Sequence, residues 1–188
     1  ENKIQLGITL TEGLGAGANP EIGEQAAVES FDDIRKMFET NTKMVFITAG
    51  MGGGTGTGAA PVIAEIAQQK NILTVGVVTI PFSTEGGFRR KYADEGIAEL
   101  KKYVDTLLVI DNEKLIEVYG DLTFTSAFAK ANEVLNTATK GIAEVISQHL
   151  LVNIDLNDAR KVLENSGTAV MGQANVEGEN RAIEAVIE

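Results

Sequence analysis

Apolar residues along the chain follow two alternating patterns, and these patterns predict strands and helices in turn. Three short runs consist mostly of apolar and β-branched residues, which is typical of strands buried on both faces of a sheet. Between these runs, apolar residues recur every three or four positions, which predicts helices that pack one face on a core. The predicted strands are 43–49, 72–79 and 106–110, and the predicted helices are 59–69, 88–104 and 112–119.

The order strand, helix, strand forms a βαβ unit, in which the two strands are parallel. We therefore predict an α/β fold with a parallel sheet and helices on both faces. A long helix from residue 125 to about residue 149 also carries apolar residues at helical spacing and is expected to pack on the core. Two shorter helical segments are predicted before the first strand.

A change in composition near residues 166–167 divides the chain. The strand-like residues 168–171 and the helix-like residues 180–187 follow it, and they are too few for a domain of their own. We predict a main domain over residues 1–150, a connecting loop and helix over residues 151–166, and the start of a second α+β domain over residues 167–188.

Charge and composition argue against several classes of protein. The chain has 188 residues with 16 Lys and Arg against 27 Asp and Glu, a net charge of −11 at pH 7. This balance argues against binding to nucleic acid or anionic lipid by charge. The absence of Cys excludes disulfides and thiol nucleophiles, and a single His argues against a His-based zinc site. The apolar runs are far shorter than a membrane span, so we expect no direct membrane insertion.

The strongest local signal is a glycine-rich loop after the first predicted strand. Six of the nine residues 50–58 are glycine, and a predicted helix follows. Glycine lets a ligand approach the backbone, and a helix N-terminus offers unpaired N–H groups with a partial positive charge. Together these features predict a phosphate-binding loop. The alternative is a tight turn in which glycine serves only a steric purpose, although such a turn needs only one or two glycines.

Two common nucleotide-binding motifs fit this loop poorly. A Walker A motif requires Lys where Ala59 stands. The dinucleotide motif fits as Gly54, Gly56 and Ala59, but after the next strand no acidic residue occurs until Glu85. The main alternative from another class of protein is a dinucleotide-dependent oxidoreductase, which would need such an acidic residue.

The glycine loop Gly53-Gly54-Thr55-Gly56-Thr57-Gly58 resembles the signature loop of the tubulin/FtsZ family of GTPases. Other segments resemble the family in the same order and spacing, and together they cover essentially the whole chain. These segments are 13–20, 81–89, 112–115 and 153–158. The resemblance implies a Rossmann-like GTPase domain over residues 1–150. It also implies that the chain lacks the family's opening strand and first glycine loop, together with most of a C-terminal domain.

The resemblance further implies a guanine nucleotide site. Glu85 would contact the ribose and Arg89 would reach the nucleotide, although the two could simply form a surface ion pair. Phe128 would stack on guanine and Asn132 would read the base edge, although the helix pattern alone favours a core Phe128 and a solvated Asn132. The implied GTP-binding residues are Ala16, Gly17, Ala18, Asn19, Gly53, Gly54, Thr55, Gly56, Thr57, Glu85, Arg89, Asn112, Phe128 and Asn132.

Asp155 and Asp158, together with Asn153, are the implied catalytic residues. In the family the equivalent loop completes the active site of a neighbouring subunit, where carboxylates position water for attack on the γ-phosphate. From the residues alone, the two acids could instead cap a helix over residues 156–165. A nucleotide-binding module without hydrolysis is therefore a second alternative.

The resemblance finally implies a biological role. It implies binding of GTP or GDP with Mg²⁺, names K⁺ as a second candidate cation, and assigns no side-chain metal ligand. It implies head-to-tail homopolymers in the bacterial division ring, at the division site in the cytoplasm. Its other partners would be division proteins that bind a C-terminal tail absent from this chain.

Overall fold

A parallel sheet lies at the centre of the computed structural model, which describes residues 3–38, 41–120, 122–147, 154–171, 176–178 and 180–187. Within these residues its strands are adjacent in the order β1-β2-β3-β4. Met44 pairs with Leu73, and Val75 pairs with Thr106, all in parallel register. The strands are β1 (Met44–Gly50), β2 (Leu73–Ile80), β3 (Thr106–Asp111) and β4 (Gly167–Thr168).

The helices surround this sheet, and a short 3-10 helix, Ser83–Glu85, follows β2. They are α1 (Ile8–Thr11), α2 (Pro20–Glu29), α3 (Phe31–Met37), α4 (Thr55–Gln69), α5 (Gly87–Leu100), α6 (Asn112–Tyr119), α7 (Phe124–Ser147), α8 (Leu156–Leu163) and α9 (Arg181–Ile187). The predicted parallel α/β fold is therefore confirmed. The largest boundary differences concern three elements: α4 begins four residues before the predicted residue 59, α5 ends four residues before the predicted residue 104, and β4 is shorter than the predicted 168–171.

Two apolar clusters bury opposite faces of the sheet. On one face, α4 and α5 pack on the strands through residues such as Ala64, Leu100 and Val78. On the other face, Ala138 and the partly buried Leu135 of α7 pack against β2 and β3. Coverage on both faces explains why β2 reads as a continuous apolar run, since seven of its eight residues are buried.

Helix α2 packs closely on α4, and glycine makes this approach possible. A Cβ atom on Gly23 would collide with the carbonyl of Gly54, and a Cβ on Gly58 would collide with the carbonyl of Pro20. This contact fixes the first turn of α2 against the start of α4 and the loop before it. The segment joining β1 to α4 is therefore held from the side by the first turn of α2.

Residues beyond α8 add a short strand to the sheet. The Gly167 N–H donates to the carbonyl of Asp105 at 2.9 Å, and the Ala169 N–H donates to the carbonyl of Leu107 at 3.0 Å. These bonds pair β4 with the amino end of β3. The assignment of residues 167–188 to a second domain stays a prediction.

Candidate functional site

The loops that follow three parallel strands lie at one edge of the sheet. Strands β1, β2 and β3 end at Gly50, Ile80 and Asp111, and predicted site residues begin within a few positions of each end. Parallel strands place their carboxyl ends at a common edge, where α/β proteins commonly bind ligands. The structure therefore brings the glycine loop, the 81–89 segment and Asn112 to the same edge.

Glycines of the loop have more than one physical purpose. A Cβ atom on Gly54 would lie 2.6 Å from Cβ of Ala16, and a Cβ on Gly56 would collide with the carbonyl of Gly50. Gly58 contacts Pro20 and Gly52 adjoins the Arg89 carbonyl, so packing within the protein explains four of the six glycines. Gly53 differs, because a Cβ there would have no neighbouring atom within 4 Å. The steric interpretation thus applies to part of the loop, and Gly53 is open to a ligand.

The backbone N–H groups of residues 53–57 indicate an anion-binding site. The Met51 N–H is bonded to the Thr79 carbonyl and the Gly52 N–H to the buried Thr57 hydroxyl, each at 2.9 Å. In the ranges described by the structure, the next five N–H groups meet no acceptor. They lie at the start of the 15-residue helix α4. Consecutive unpaired N–H groups at a helix N-terminus attract phosphate.

The loop of residues 13–19 lies against the glycine loop. Ala16 is buried, whereas Gly17 and Ala18 are exposed. Ala18 has φ 58°, a left-handed conformation that is unfavourable for a residue with a Cβ atom. Asn19 caps α2 by accepting a bond from the Glu21 N–H at 2.9 Å, so its side chain oxygen already has a structural partner.

Glu85 and Arg89 form the ion pair that their spacing allows. One Glu85 oxygen accepts a bond from the Phe82 N–H at 3.0 Å, and the other accepts from the Arg89 guanidinium at 2.9 Å. The Glu85 side chain is only 13% exposed, while that of Arg89 is 49% exposed. The carbonyl of Arg89 would lie 2.7 Å from a Cβ atom on Gly52, so the start of α5 adjoins the glycine loop.

Aromatic and amide side chains complete this edge. Phe128 on α7 meets buried Phe82 edge to face, with ring centroids 5.1 Å apart. Asn132 lies one turn further along α7 and is exposed. Asn112 is 4% exposed, and its side-chain oxygen has no hydrogen-bond donor among the described residues. A buried acceptor without a donor is costly, so this oxygen is a candidate ligand contact.

Two residues at this edge were not predicted as site residues from the sequence. Phe82 supports Phe128, and Glu113 accepts a bond from the Ser83 N–H at 2.8 Å. That bond holds the pKa of the Glu113 carboxyl below its ordinary value. The available signal was an acid in the first turn of a helix that starts at the same edge.

The predicted catalytic acids lie at the other end of the molecule. Asp155 caps α8 by accepting bonds from the N–H groups of Asn157 and Asp158, at 2.8 and 2.9 Å. Asp158 in turn accepts a 3.3 Å bond from the Asp155 N–H. The capping alternative is thus present in the structure, and both side chains remain exposed. Asn153 lies outside the described residues.

Helix α8 marks the amino edge of the sheet. The Arg160 guanidinium on α8 donates to the carbonyl of Lys43, just before β1, at 3.4 Å. Helix α7 connects the two edges, since its 24 residues extend about 36 Å at about 1.5 Å per residue. The acids and the carboxyl-edge loops therefore lie at opposite ends of the sheet. Among the described residues, no group of three or more His, Cys, Asp or Glu could hold a metal ion.

Comparison with known proteins identifies the family. The model of the tubulin/FtsZ family GTPase domain matches residues 1–120. The chain belongs to the tubulin/FtsZ family. No helix within the described ranges is long and apolar enough to cross a membrane.

Relatives in the tubulin/FtsZ family are similar along nearly all of this chain. It is 52% identical over 185 residues to the cell division protein FtsZ of Rickettsia conorii, covering 98% of this chain and 41% of that protein. It is 54% identical over 183 residues to the cell division protein FtsZ 1 of Thermococcus kodakarensis, covering 97% and 49%. A solved FtsZ dimer structure from M. jannaschii has a TM-score of 0.92 at 49% identity, covering 97% of this chain and 53% of that chain.

These comparisons confirm the Rossmann-like fold expected for the tubulin/FtsZ family. The chain spans between 41% and 53% of the length of these three proteins. The family match also argues against a dinucleotide-dependent oxidoreductase. Such an enzyme would need an acidic residue where β2 leads into Pro81.

Proposed function

We propose that the chain is the nucleotide-binding part of a GTPase. The observation that carries this proposal is the run of unpaired N–H groups over residues 53–57 at the start of α4. These groups would hold the phosphates through backbone hydrogen bonds. GTP or GDP is the proposed ligand because the matching family model is that of a GTPase domain.

The remaining predicted residues would hold the base and ribose. Phe128 would stack on guanine from a position fixed by Phe82, and Asn132 offers both a donor and an acceptor to the base edge. The orphaned oxygen of Asn112 would gain a donor from the nucleotide. Glu85 and Arg89 lie beside the glycine loop, although the nucleotide would have to share the Glu85 oxygens with their present partners.

Hydrolysis would use acids from a second molecule. Helix α7 is about 36 Å long at about 1.5 Å per residue, it carries Phe128 near its start at the nucleotide edge, and Asp155 and Asp158 follow its other end. One chain therefore cannot apply both ends to the same nucleotide. The acid end of one molecule would dock on the nucleotide end of the next, and this head-to-tail contact repeats into a filament. Asp155, Asp158 and Asn153 would then orient water for attack on the γ-phosphate.

Cations would accompany the nucleotide. Mg²⁺ neutralises phosphate charge during phosphoryl transfer, which matters for a chain of net charge −11. The described residues supply no acidic or His cluster for a metal, so phosphate oxygens and water would provide most of the ligands to Mg²⁺. K⁺ is a second candidate cation in this proposal.

The proposed biological role is bacterial cell division. It is supported by similarity to proteins named cell division protein FtsZ. The filaments would form the division ring in the cytoplasm, at the division site. Other division proteins would bind a C-terminal tail outside this chain. Nucleic acid is not a proposed partner.

Nucleotide binding is tested by adding a methyl group in the open part of the loop. Gly53→Ala places a Cβ where the structure has free space, so the protein should fold normally. A bound phosphate would occupy that space, and GTP affinity should fall about tenfold, which corresponds to 1.4 kcal/mol. Gly141→Ala is the matched control, because Gly141 is exposed on α7 with equally open surroundings. Equal GTP affinity of both variants in isothermal titration refutes the proposed cradle.

Action of the acids in trans is tested by mixing two variants of the full-length protein. Asp158→Asn keeps an acceptor for the Asp155 N–H and removes the carboxylate, so capping and catalysis are separated. It should bind GTP and hydrolyse it very slowly. Gly53→Val should bind no GTP but retains both acids. The mixture should hydrolyse GTP faster than the sum of its parts, and a purely additive rate under co-assembly conditions contradicts the proposal.

A further inference from the structure

We propose that Glu29 is a positioning residue for the loop of residues 13–19. Glu29 is the last residue of α2 and lies far along the sequence from that loop. One of its carboxylate oxygens accepts a bond from the Thr9 N–H at 2.8 Å, and the other accepts from the Leu10 N–H at 3.0 Å. A single side chain therefore holds two consecutive N–H groups of α1.

Helix α1 has few other means of staying in place. It has four residues, none of them buried, and its N-cap Gly7 makes no side-chain capping bond. Ile8 is 62% exposed, so apolar burial contributes little to holding α1. A second anchor is at its entry, where the Gly7 N–H donates to the buried Ser30 hydroxyl at 3.1 Å and Gly7 packs on Ala26, so closely that a Cβ on Gly7 would lie 2.5 Å from Cβ of Ala26. Both anchors lie at the carboxyl end of α2.

The chain between these anchors and α2 forms a strap, which we define as residues 7–19. The strap begins at the carboxyl end of α2 and returns to its amino end, where Asn19 caps the helix. Its far end is held by Glu29, and its near end contacts the glycine loop through Ala16 and Gly54. Release of the far end would leave the strap held by the Gly7 bond to Ser30, by the contact of Ala16 with the glycine loop and by Asn19, with more freedom between these points. An open loop has more conformations to lose when it binds a ligand.

This inference rests on the proposed function and adds that the backbone of residues 16–19 lies near the γ-phosphate, because Ala16 contacts Gly54 of the phosphate-binding loop. GDP lacks that phosphate, so ordering of the strap should matter more for GTP than for GDP. A general loss of stability would weaken both nucleotides alike. The ratio of the two affinities therefore separates positioning from a purely structural role.

The experiment compares Glu29→Gln with Glu24→Gln in the full-length protein. A Gln side chain has one acceptor oxygen, and its amide group would face the second N–H donor. Glu24 is an exposed residue of the same helix, and its carboxylate makes no hydrogen bond or ion pair within the described ranges, so its variant is the control. Hydrogen exchange at the Thr9 and Leu10 amides is measured together with the affinities for GTP and GDP.

The expected result is selective. In Glu29→Gln, exchange at Thr9 and Leu10 should accelerate about tenfold, as expected for loss of bonds to a charged acceptor. GTP affinity should fall about three- to tenfold, with less than about a twofold change for GDP. Glu24→Gln should match the wild type in each measurement.

Three outcomes decide between the steps of the inference. Unchanged exchange in Glu29→Gln overturns the anchoring role. Faster exchange with an equal loss of GTP and GDP affinity, or with no loss, overturns the positioning role. Absence of GTP binding by the wild-type protein refutes the proposed function, whereas faster exchange in the variant still supports the anchor.

Discussion

Substitution of Gly58 by Ala tests whether the contact between α2 and α4 depends on a missing side chain. A Cβ atom at Gly58 would lie 2.5 Å from the Glu24 backbone nitrogen and even closer to the Pro20 carbonyl oxygen. Both are backbone atoms, so no side-chain rotation can relieve the clash. The first turns of α2 and α4 would have to separate.

The cost can be estimated from two opposing effects. Overpacking of a close contact costs about 1–3 kcal/mol, and a clash against backbone belongs at the upper end. Replacing Gly by Ala inside a helix contributes about 1 kcal/mol in the other direction. The net expectation is a loss of about 2 kcal/mol, or a melting temperature lower by about 4–8 °C for a domain of 150–250 residues.

Thermal unfolding of the full-length protein provides the assay, with Gly141→Ala as the reference. Gly141 is exposed on α7, where a Cβ meets no other atom within 4 Å, so the same chemical change should only stabilise. The two variants should therefore shift the melting temperature in opposite directions. Equal shifts would show that α2 and α4 tolerate a methyl group between them, and the steric argument would be refuted.

Three further predictions concern single side chains. Phe82→Ala removes a buried ring and its contact with Phe128, so unfolding in urea should show a loss of about 3–5 kcal/mol; a loss below about 1 kcal/mol would contradict the packing. Asp155→Ala should destabilise the protein by about 1 kcal/mol through loss of the α8 cap, and an unchanged urea midpoint would contradict that role. The Thr9 N–H bond lowers the pKa of the Glu29 carboxyl, so the bond stabilises the fold above the ordinary value of 4.5 and is lost as pH falls through the lower folded pKa. Exchange of the Thr9 amide should therefore accelerate only below about pH 4.5 after correction for intrinsic rates, and pH-independent protection would contradict this linkage.

Predictions from the sequence succeeded where local pattern and burial agree. Strand β2 is buried on both faces, so its apolar run had no competing interpretation. Helix α6 was predicted with its observed bounds, because Asp111 caps its start and Gly120 follows its end with a positive φ. In both cases the signal lies within the element or in the residues directly beside it.

The sequence failed to predict α1 because the cause of that helix lies elsewhere in the chain. Its four residues bury no side chain and so leave no periodic pattern. Its N–H groups are bonded to Glu29, about 20 residues away, which no local window includes. A similar limit applied to the glycine loop. The sequence does not distinguish Gly54, which is needed for packing, from Gly53, which faces open space, because the difference depends on the folded structure.

Carboxylates at several loops accept hydrogen bonds from backbone N–H groups. This helps to explain how a chain with so many acidic residues could bind an anion. Glu29, Glu85, Glu113 and Asp155 each accept hydrogen bonds from backbone N–H groups at the start of a helix or turn. Their negative charge is thus used to fix loops, whereas residues 53–57 keep their N–H groups without acceptors in the described structure. Phosphates at that edge would meet backbone dipoles more than fixed positive charges. Because those dipoles carry no net charge, the proposed nucleotide would have to bring its own cation, and binding should depend more strongly on Mg²⁺ than on any single Lys or Arg.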